Sequence, residues 1–319
     1  MSVRDHNAGN YSPSLPASHY AKVPEGMAGM RIDLVLARMF PDLSRSRLQE
    51  WVKQGRVMVD GVPVDGKHKA WGGETVSLSP EPAETMICDV AENIALNIVH
   101  EDVQLIVLNK PAGLVVHPGN GNRTGTLLNA LLNHAPELSG LSRAGIVHRL
   151  DKDTSGLMVV AKNPIAQLDL VRQLQARTVS RQYLALVHGK VDEAGSVDAP
   201  IGRHPTQRTR MAVNPHGRNA RTFYVPIERF TLTTLVECKL ETGRTHQIRV
   251  HMASIGHPLV GDRTYGRRKS GSVNLDNFPR QALHAWRLGL MHPSTGLAVH
   301  WESSLPEDYA NLLDSLRQP

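Results

Sequence analysis

An α+β fold built on a large mixed, mainly antiparallel sheet with flanking helices is predicted by three features of this 319-residue sequence. Short β-rich runs dominate after residue 94, they do not alternate with helices as a βαβ series requires, and no internal repeat organises them. Ahead of that region, helical spacing and two turn signals mark a separate small α/β unit. Residues 1–27, rich in Ser, Pro, Asn and Gly, read as a flexible N-terminal extension, residues 28–80 as the small α/β module, residues 81–93 as a linker, and residues 94–319 as the main domain.

Taken in order, Ile32, Val35, Leu36, Met39 and Phe40 recur at helical spacing, and Pro41 stops the helix. Ser44 is a natural N-cap for a second helix, with Leu48, Trp51 and Val52 on one face and Gly55 at its end. Strand-like runs at 57–59 and 62–64 flank the hairpin turn Asp60-Gly61, and Gly72-Gly73 precedes a third run at 75–78. In the main domain, 105–108 and 114–116 read as strands on either side of the turn Lys110-Pro111-Ala112-Gly113, and 126–133 as a helix. Asn163 caps a helix that has Pro164 in its first turn and runs to about residue 177. Strands follow at 183–187, 223–227 and 235–240.

A formal net charge of +6 favours a polyanionic partner. The two cysteines, Cys88 and Cys238, are isolated, which argues against a disulfide framework or zinc knuckle and fits a reducing compartment. The polar first twenty residues lack the apolar core of a signal peptide, and no later segment approaches a membrane span. A soluble, cytoplasmic protein is expected, and a monomer is the default.

The chemistry-bearing stretch is Gly145-Ile146-Val147-His148-Arg149-Leu150-Asp151-Lys152-Asp153-Thr154-Ser155-Gly156. It sets Asp151 in a polar turn between apolar runs, where a carboxylate is held in place and partly shielded from water, as a nucleophile or base requires. A strand-turn-strand corner shaped by Asp153 or Thr154 explains the same residues equally well. The segment 241–251 offers partners. Helical spacing of Ile248, Met252 and Ile255 after Thr245 as N-cap is favoured over a strand, and Arg249 would pair with Asp151. His246 and His251, five apart, diverge by about 140° on a helix and face opposite sides of a strand, so they do not form a metal site. Ser155 lacks a Gly-x-Ser-x-Gly elbow, and no nucleotide-binding glycine motif occurs. Seven cationic or histidine side chains, Arg208 and Arg210 among them, fall in residues 201–222 without one acidic residue; Arg263, Arg267, Arg268 and Lys269 form a second cluster. Such runs are commonly solvated loops, but two of them beside a basic helix favour a phosphate-binding surface. Tyr183 is either a sheet-core residue or a stacking platform for a base.

Residues 30–79, with Arg31-Ile32-Asp33, Ser44-Arg45-Ser46-Arg47, Gly55-Arg56-Val57 and Asp60-Gly61, resemble the S-four-type RNA-binding module. His148-Arg149-Leu150-Asp151 with Thr154-Ser155-Gly156, Lys110-Pro111-x-Gly113 with His117-Pro118, Arg181-x-Tyr183, and Gly243 through His251 resemble the motifs of the RluA-type pseudouridine synthases, in that family's order, from about residue 94 to the C-terminus. The resemblance implies the pseudouridine synthase fold and isomerisation of uridine in RNA to pseudouridine, without cofactor or metal. It implies Asp151 as the essential carboxylate, Tyr183 stacked on the base, Arg249 paired with Asp151, and Arg149 filling the gap left by the flipped uridine. RNA contacts are expected from His148, Thr154, Arg244, His246 and Gln247, from Arg45, Arg47, Lys53 and Arg56 of the module, and from Arg208 and Arg210. Arg203-His204-Pro205-Thr206 and Gln281-Ala282-Leu283-His284 resemble a subgroup acting on large-subunit ribosomal RNA, which implies the intersubunit-bridge stem-loop, helix 69. A tRNA-directed synthase and a non-catalytic RNA-binding protein are the competing readings.

Overall fold

The computed structural model describes residues 19–40, 45–79, 90–119, 122–207, 210–266 and 271–318. The chain divides into two compact units, residues 1–86 and 87–319.

In the first unit, α1 (Ile32–Met39) and α2 (Arg45–Lys53) pack on a four-stranded antiparallel sheet of β1 (His19–Lys22), β2 (Val57–Val59), β3 (Val62–Pro63) and β4 (Thr75–Leu78), in the order β1-β4-β2-β3. Ile32, Val35 and Leu36 meet Leu48, Trp51 and Val52 over Val57, Val76 and Leu78. This is the pairing that the helical spacing predicts. The buried Asp33 carboxylate accepts from Arg31 Nε at 3.1 Å and from Gln49 Nε2 at 2.9 Å, which ties α1 to α2 and offsets the cost of burying a charge. At the predicted hairpin turn, Asp60 and Gly61 both have positive φ (47° and 79°) between the paired Val59 and Val62, the geometry of a type I′ turn. Residues 19–22, read from sequence as part of a flexible extension, instead pair as β1 along β4 and satisfy its otherwise open edge. The Ser44 cap, most of the linker at 81–93 and Cys88 lie outside the described residues.

The second unit is organised by a nine-stranded sheet. Its strands are β5 (Ile98–Glu101), β6 (Leu105–Lys110), β7 (Ser155–Ala161), β8 (Ser180–His188), β9 (Gly195–Asp198), β12 (Arg221–Arg229), β13 (Thr233–Leu240), β14 (Leu283–Met291) and β15 (Ala298–Glu302). The order is β5-β6-β7-β14-β8-β13-β12-β9, with β15 beside β14. The β7–β14 pair is parallel and the others antiparallel. β10 (Ile201–Arg203) and β11 (Met211–Val213) form a separate hairpin from the basic stretch.

Helices cover both faces, because the strands are apolar on both. Ile106, Leu108, Met158 and Val160 face α3 (Leu127–His134), and the same cluster continues through Tyr183 and Cys238 to Ile248 and Met252 of α5 (Gln247–Ser254). Leu105, Val107, Leu157 and Val159 point the other way, onto Ala166 and Leu170 of α4 (Pro164–Gln175). The chain ends with the short α6 (Val273–Asp276) and α7 (Glu307–Arg317), whose Tyr309, Leu312 and Leu313 cover Leu186 and Leu235. Asn163 caps α4 through Ala166 N, as expected. Residues 114–116 form no strand; only Val115 bridges to Thr126, because the Leu114 carbonyl is taken by a lysine side chain. No helix among the described residues is long and apolar enough to cross a membrane.

Candidate active site

Two close backbone contacts hold the turn that carries Asp151. Gly145 (φ 76°) packs so tightly that a Cβ would lie 1.9 Å from Ala161 O, and Gly156 (φ 118°) would place one 2.3 Å from Ala285 O. Only glycine fits either position. Between them, Thr154 N donates to Asp151 O, and Lys152 O accepts from Gly113 N. Lys110, fully buried at the end of β6, donates from Nζ to Lys152 O, Leu114 O and Pro111 O at 2.7–2.9 Å. Burial pushes its pKa down to about 7, against the pull of Asp153 and Asp151. Lys110→Met would remove three hydrogen bonds, to Lys152 O, Leu114 O and Pro111 O, of which, among the described residues, only the Lys152 carbonyl keeps a second donor, Gly113 N. It is expected to cost about 3 kcal/mol of stability, read as a lower midpoint of thermal unfolding; an unchanged midpoint would show that solvent takes over the ammonium's role.

Arg249, on α5, reaches Asp151 Oδ2 through Nη1 at 3.0 Å. Its other side is gripped by Asp262, with Nε to Oδ2 at 2.7 Å and Nη2 to Oδ1 at 2.9 Å. Asp262 is held in turn by the amides of Thr264 and Tyr265. Burial opposes charge on both partners, but their bidentate pairing outweighs it: the Arg249 pKa rises and the Asp262 pKa falls. The catalytic carboxylate candidate is thus the exposed end of a buried chain, 17% exposed against 7% for Arg249 and 0% for Asp262. His246 adds a further neighbour. It is the N-cap residue of α5, in the left-handed region (φ 59°), where Thr245 was expected to cap. Tyr265 Oη accepts from Met211 N and sits 2.9 Å from His246 Nδ1, while His246 Nε2 lies 3.9 Å from Asp151 Oδ1. Burial lowers the His246 pKa despite Asp151 beside it, keeping the ring neutral.

Asp151, His246 and Arg249 line one cleft of about 590 Å³, together with Arg149, Arg181 and Tyr183. Tyr183 lies on β8, in the core cluster with Ile248 and Leu283, and only 5% of it is exposed. Burial raises its pKa, Asp151 adds to that and Arg181 opposes it, so the phenol stays protonated at neutral pH. Tyr183 is therefore a sheet-core residue that also forms part of the cleft wall. Arg149 is exposed at the rim.

Other expected RNA contacts have different tasks. Thr154 is buried, and its hydroxyl accepts from Gln281 Nε2. Gln247 is also buried; its Oε1 accepts from Thr242 Oγ1 and Arg244 N while Nε2 donates to Arg221 O and Thr222 Oγ1. His148 Nε2 accepts from Val159 N, and desolvation pushes its pKa down to about 3, so it offers no charge to a phosphate. All three build the walls rather than reach out. Arg244 lines the cleft, with Nε on Asn219 O. In the first unit, Lys53 is exposed and Arg56 half-buried; Arg45 and Arg47 belong to α2. Arg210 begins the approach to β11, whereas Arg208 lies outside the described residues. Reading by sequence missed Asp262 and Tyr265, and it placed Lys110 in a motif without giving it a task. The glycines at 261 and 266 are the available signal for the first: a Cβ at Gly261 would lie 2.0 Å from Arg280 O, and at Gly266 2.2 Å from Asp262 O.

The profile of the RNA pseudouridylate synthase family matches residues 104–254, and that of the S4 domain matches residues 30–76. Ribosomal large subunit pseudouridine synthase D of Nitrosomonas europaea is 58% identical over 298 residues, covering 92% of this chain and 87% of that protein. The chain belongs to the RluA-type RNA pseudouridine synthase family. The Pseudomonas aeruginosa protein of the same description is 52% identical, covering 93% of this chain and 95% of its own length. Among solved structures, human RNA Pseudouridylate Synthase Domain Containing 4 shares the fold with a TM-score of 0.56 and 28% identity, over 69% of this chain and 93% of that one. Human RNA Pseudouridylate Synthase Domain Containing 1 follows with 0.54 and 27%, over 72% and 97%. Pseudouridine synthase chemistry, an isomerisation, accordingly belongs to the cleft-bearing unit, which contains the whole matched family segment.

Proposed function

We propose that this pseudouridine synthase acts on large-subunit ribosomal RNA, isomerising uridines of the helix 69 stem-loop, as a cytoplasmic monomer. The observation that carries the proposal is the Asp151 carboxylate at the end of the Asp262–Arg249 chain, in one cleft with a buried, protonated Tyr183. During the reaction the bond between the sugar and uracil N1 breaks, the base rotates, and a carbon–carbon bond forms at C5. Asp151 is the essential carboxylate, acting on the sugar at the reacting carbon or its neighbouring proton. Either role needs a charged oxygen held still, and Arg249 supplies that hold. Tyr183 stacks on the base. Arg149, at the rim, fills the gap in the RNA stack when the uridine leaves it.

The substrate reading draws on the relatives described as ribosomal large subunit synthases and on the S4 domain of the first unit. Incubating the enzyme with unmodified large-subunit rRNA and with tRNA, then mapping carbodiimide adducts by reverse-transcription stops, tests it. New stops are expected in the helix 69 loop; stops in tRNA alone would assign the enzyme to the other substrate. The first unit is proposed to add phosphate contacts, so removal of residues 1–86 is expected to weaken rRNA binding and reduce its dependence on salt. An unchanged slope of log affinity against log salt would take that unit out of the RNA interface.

A further inference from the structure

Arg181 is the unexplained charge of the cleft. It stands on β8 two residues before Tyr183, so both side chains leave the same face of the strand. The residue is 7% exposed and lines the same cleft as Asp151. Its Nε is buried without a hydrogen-bond partner, and among the described residues no carboxylate pairs with its guanidinium. The acidic groups around the cleft are otherwise engaged. Asp151 faces Arg249 and His246, and Glu241 is paired with Arg177 and Arg221. Gly243 makes the room: a Cβ there would lie 2.6 Å from Arg181 Nη1.

A buried cation without an anion is costly unless a ligand completes it. The formal charges that an RNA substrate brings are its phosphates, and a guanidinium matches them in shape as well as charge. We infer that Arg181 is a phosphate-binding residue of the cleft, taking the backbone phosphate next to the flipped uridine while Gly243 keeps its guanidinium in reach. This deepens the assignment of the Asp151 cleft as the uridine site and does not depend on which stem-loop is modified. Phosphate binding here locks the nucleotide's backbone while its base is inserted beside Tyr183. It also neutralises Arg181 only when RNA is in place.

The test uses short stem-loops containing the uridine that the full-length enzyme is mapped to modify in large-subunit rRNA. Each phosphate around that uridine is replaced in turn by a neutral methylphosphonate. With the unaltered enzyme, one linkage next to the target is expected to raise KM on the order of tenfold or more. Arg181→Met is expected to raise KM similarly on the native stem-loop and to add nothing on the stem-loop neutral at that linkage. Gly243→Ala, which displaces the guanidinium without removing it, is expected to give the same pattern and carries the comparison if Arg181→Met does not fold. Equal losses on native and neutral RNAs would overturn the inference. So would a fall in kcat at unchanged KM with a shifted pH profile, which would make Arg181 a tuner of Tyr183. Failure of the stem-loops to react at all with the unaltered enzyme would count instead against the Asp151 cleft as the uridine site, and the inference would fall with it.

Discussion

Asp151→Asn is expected to abolish pseudouridine formation, by on the order of 10⁴-fold or more in kcat, as when an enzyme loses the group that reacts with substrate. The geometry makes this a clean experiment. Asp151 is 17% exposed, and its contribution to the fold runs mainly through backbone: its carbonyl accepts from Thr154 N, and the neighbouring Lys152 carbonyl is held by Lys110 and Gly113. None of these bonds changes in the variant. The asparagine carbonyl oxygen can still accept from Arg249 Nη1, while Asp262 keeps its two bonds to the other side of that guanidinium. Stability should therefore change little. RNA affinity should be retained or rise slightly, because a negative charge leaves a site that receives a polyanion. Carbodiimide mapping, filter binding and thermal unfolding on one preparation separate the three effects. Turnover within tenfold of the unaltered enzyme would remove Asp151 from the chemistry. A loss of RNA binding equal to the loss of rate would make it a binding residue.

Legibility of the site in the sequence followed how local each feature is. Asp60-Gly61, and Asn163 with Pro164, are local instructions, and both turn and cap formed where expected. Asp151 and Arg249 were legible as a pair because each stands in a dense polar motif, although 98 residues separate them. Within those motifs, however, residue type did not distinguish contact from support. Thr154, Gln247 and His148 are polar because the backbone around Asp151 and α5 bends away from regular ladders and needs side-chain partners. Lys110 was read as the first residue of a turn, with no partner assigned to its ammonium. Here three converging carbonyls take the place of water. Strand β1 carries little pattern of its own and forms because β4 offers it an edge. Asp262 was missed for the same nonlocal reason: its job is set by a helix 13 residues earlier, and a lone Gly-Asp-Arg triplet says nothing of that partner.

Asp262→Asn is the second substitution expected to have a large effect, and it separates positioning from chemistry. Asp262 is fully buried and lies behind Arg249, which stands between it and Asp151. In the variant an amide N–H group must face a guanidinium donor, so one of the two bonds to Arg249 becomes a donor–donor contact. Arg249 then remains as a buried cation whose one carboxylate is Asp151. Removing one partner of a buried ion pair costs about 3–5 kcal/mol, and part of that will appear as a lower unfolding midpoint. The remaining part is expected in the rate. Arg249 is free to shift with Asp151, and the loss of a fixed carboxylate should lower kcat on the order of a hundredfold, since displacements of about 1 Å have that effect. KM should move little, because Asp262 is closed to solvent and RNA. The pH dependence carries a further signature. Asp262 has its pKa lowered in the folded state, so its stabilisation is complete above the ordinary value of 3.8 and is lost as pH falls through the lower folded value. The unaltered enzyme should therefore lose stability steeply below about pH 3.8, and Asp262→Asn should show a flatter acid limb. A variant that unfolds earlier but turns over at the normal rate would show that Arg249 needs no clamp to orient Asp151, and Asp262 would then be a residue of the fold alone.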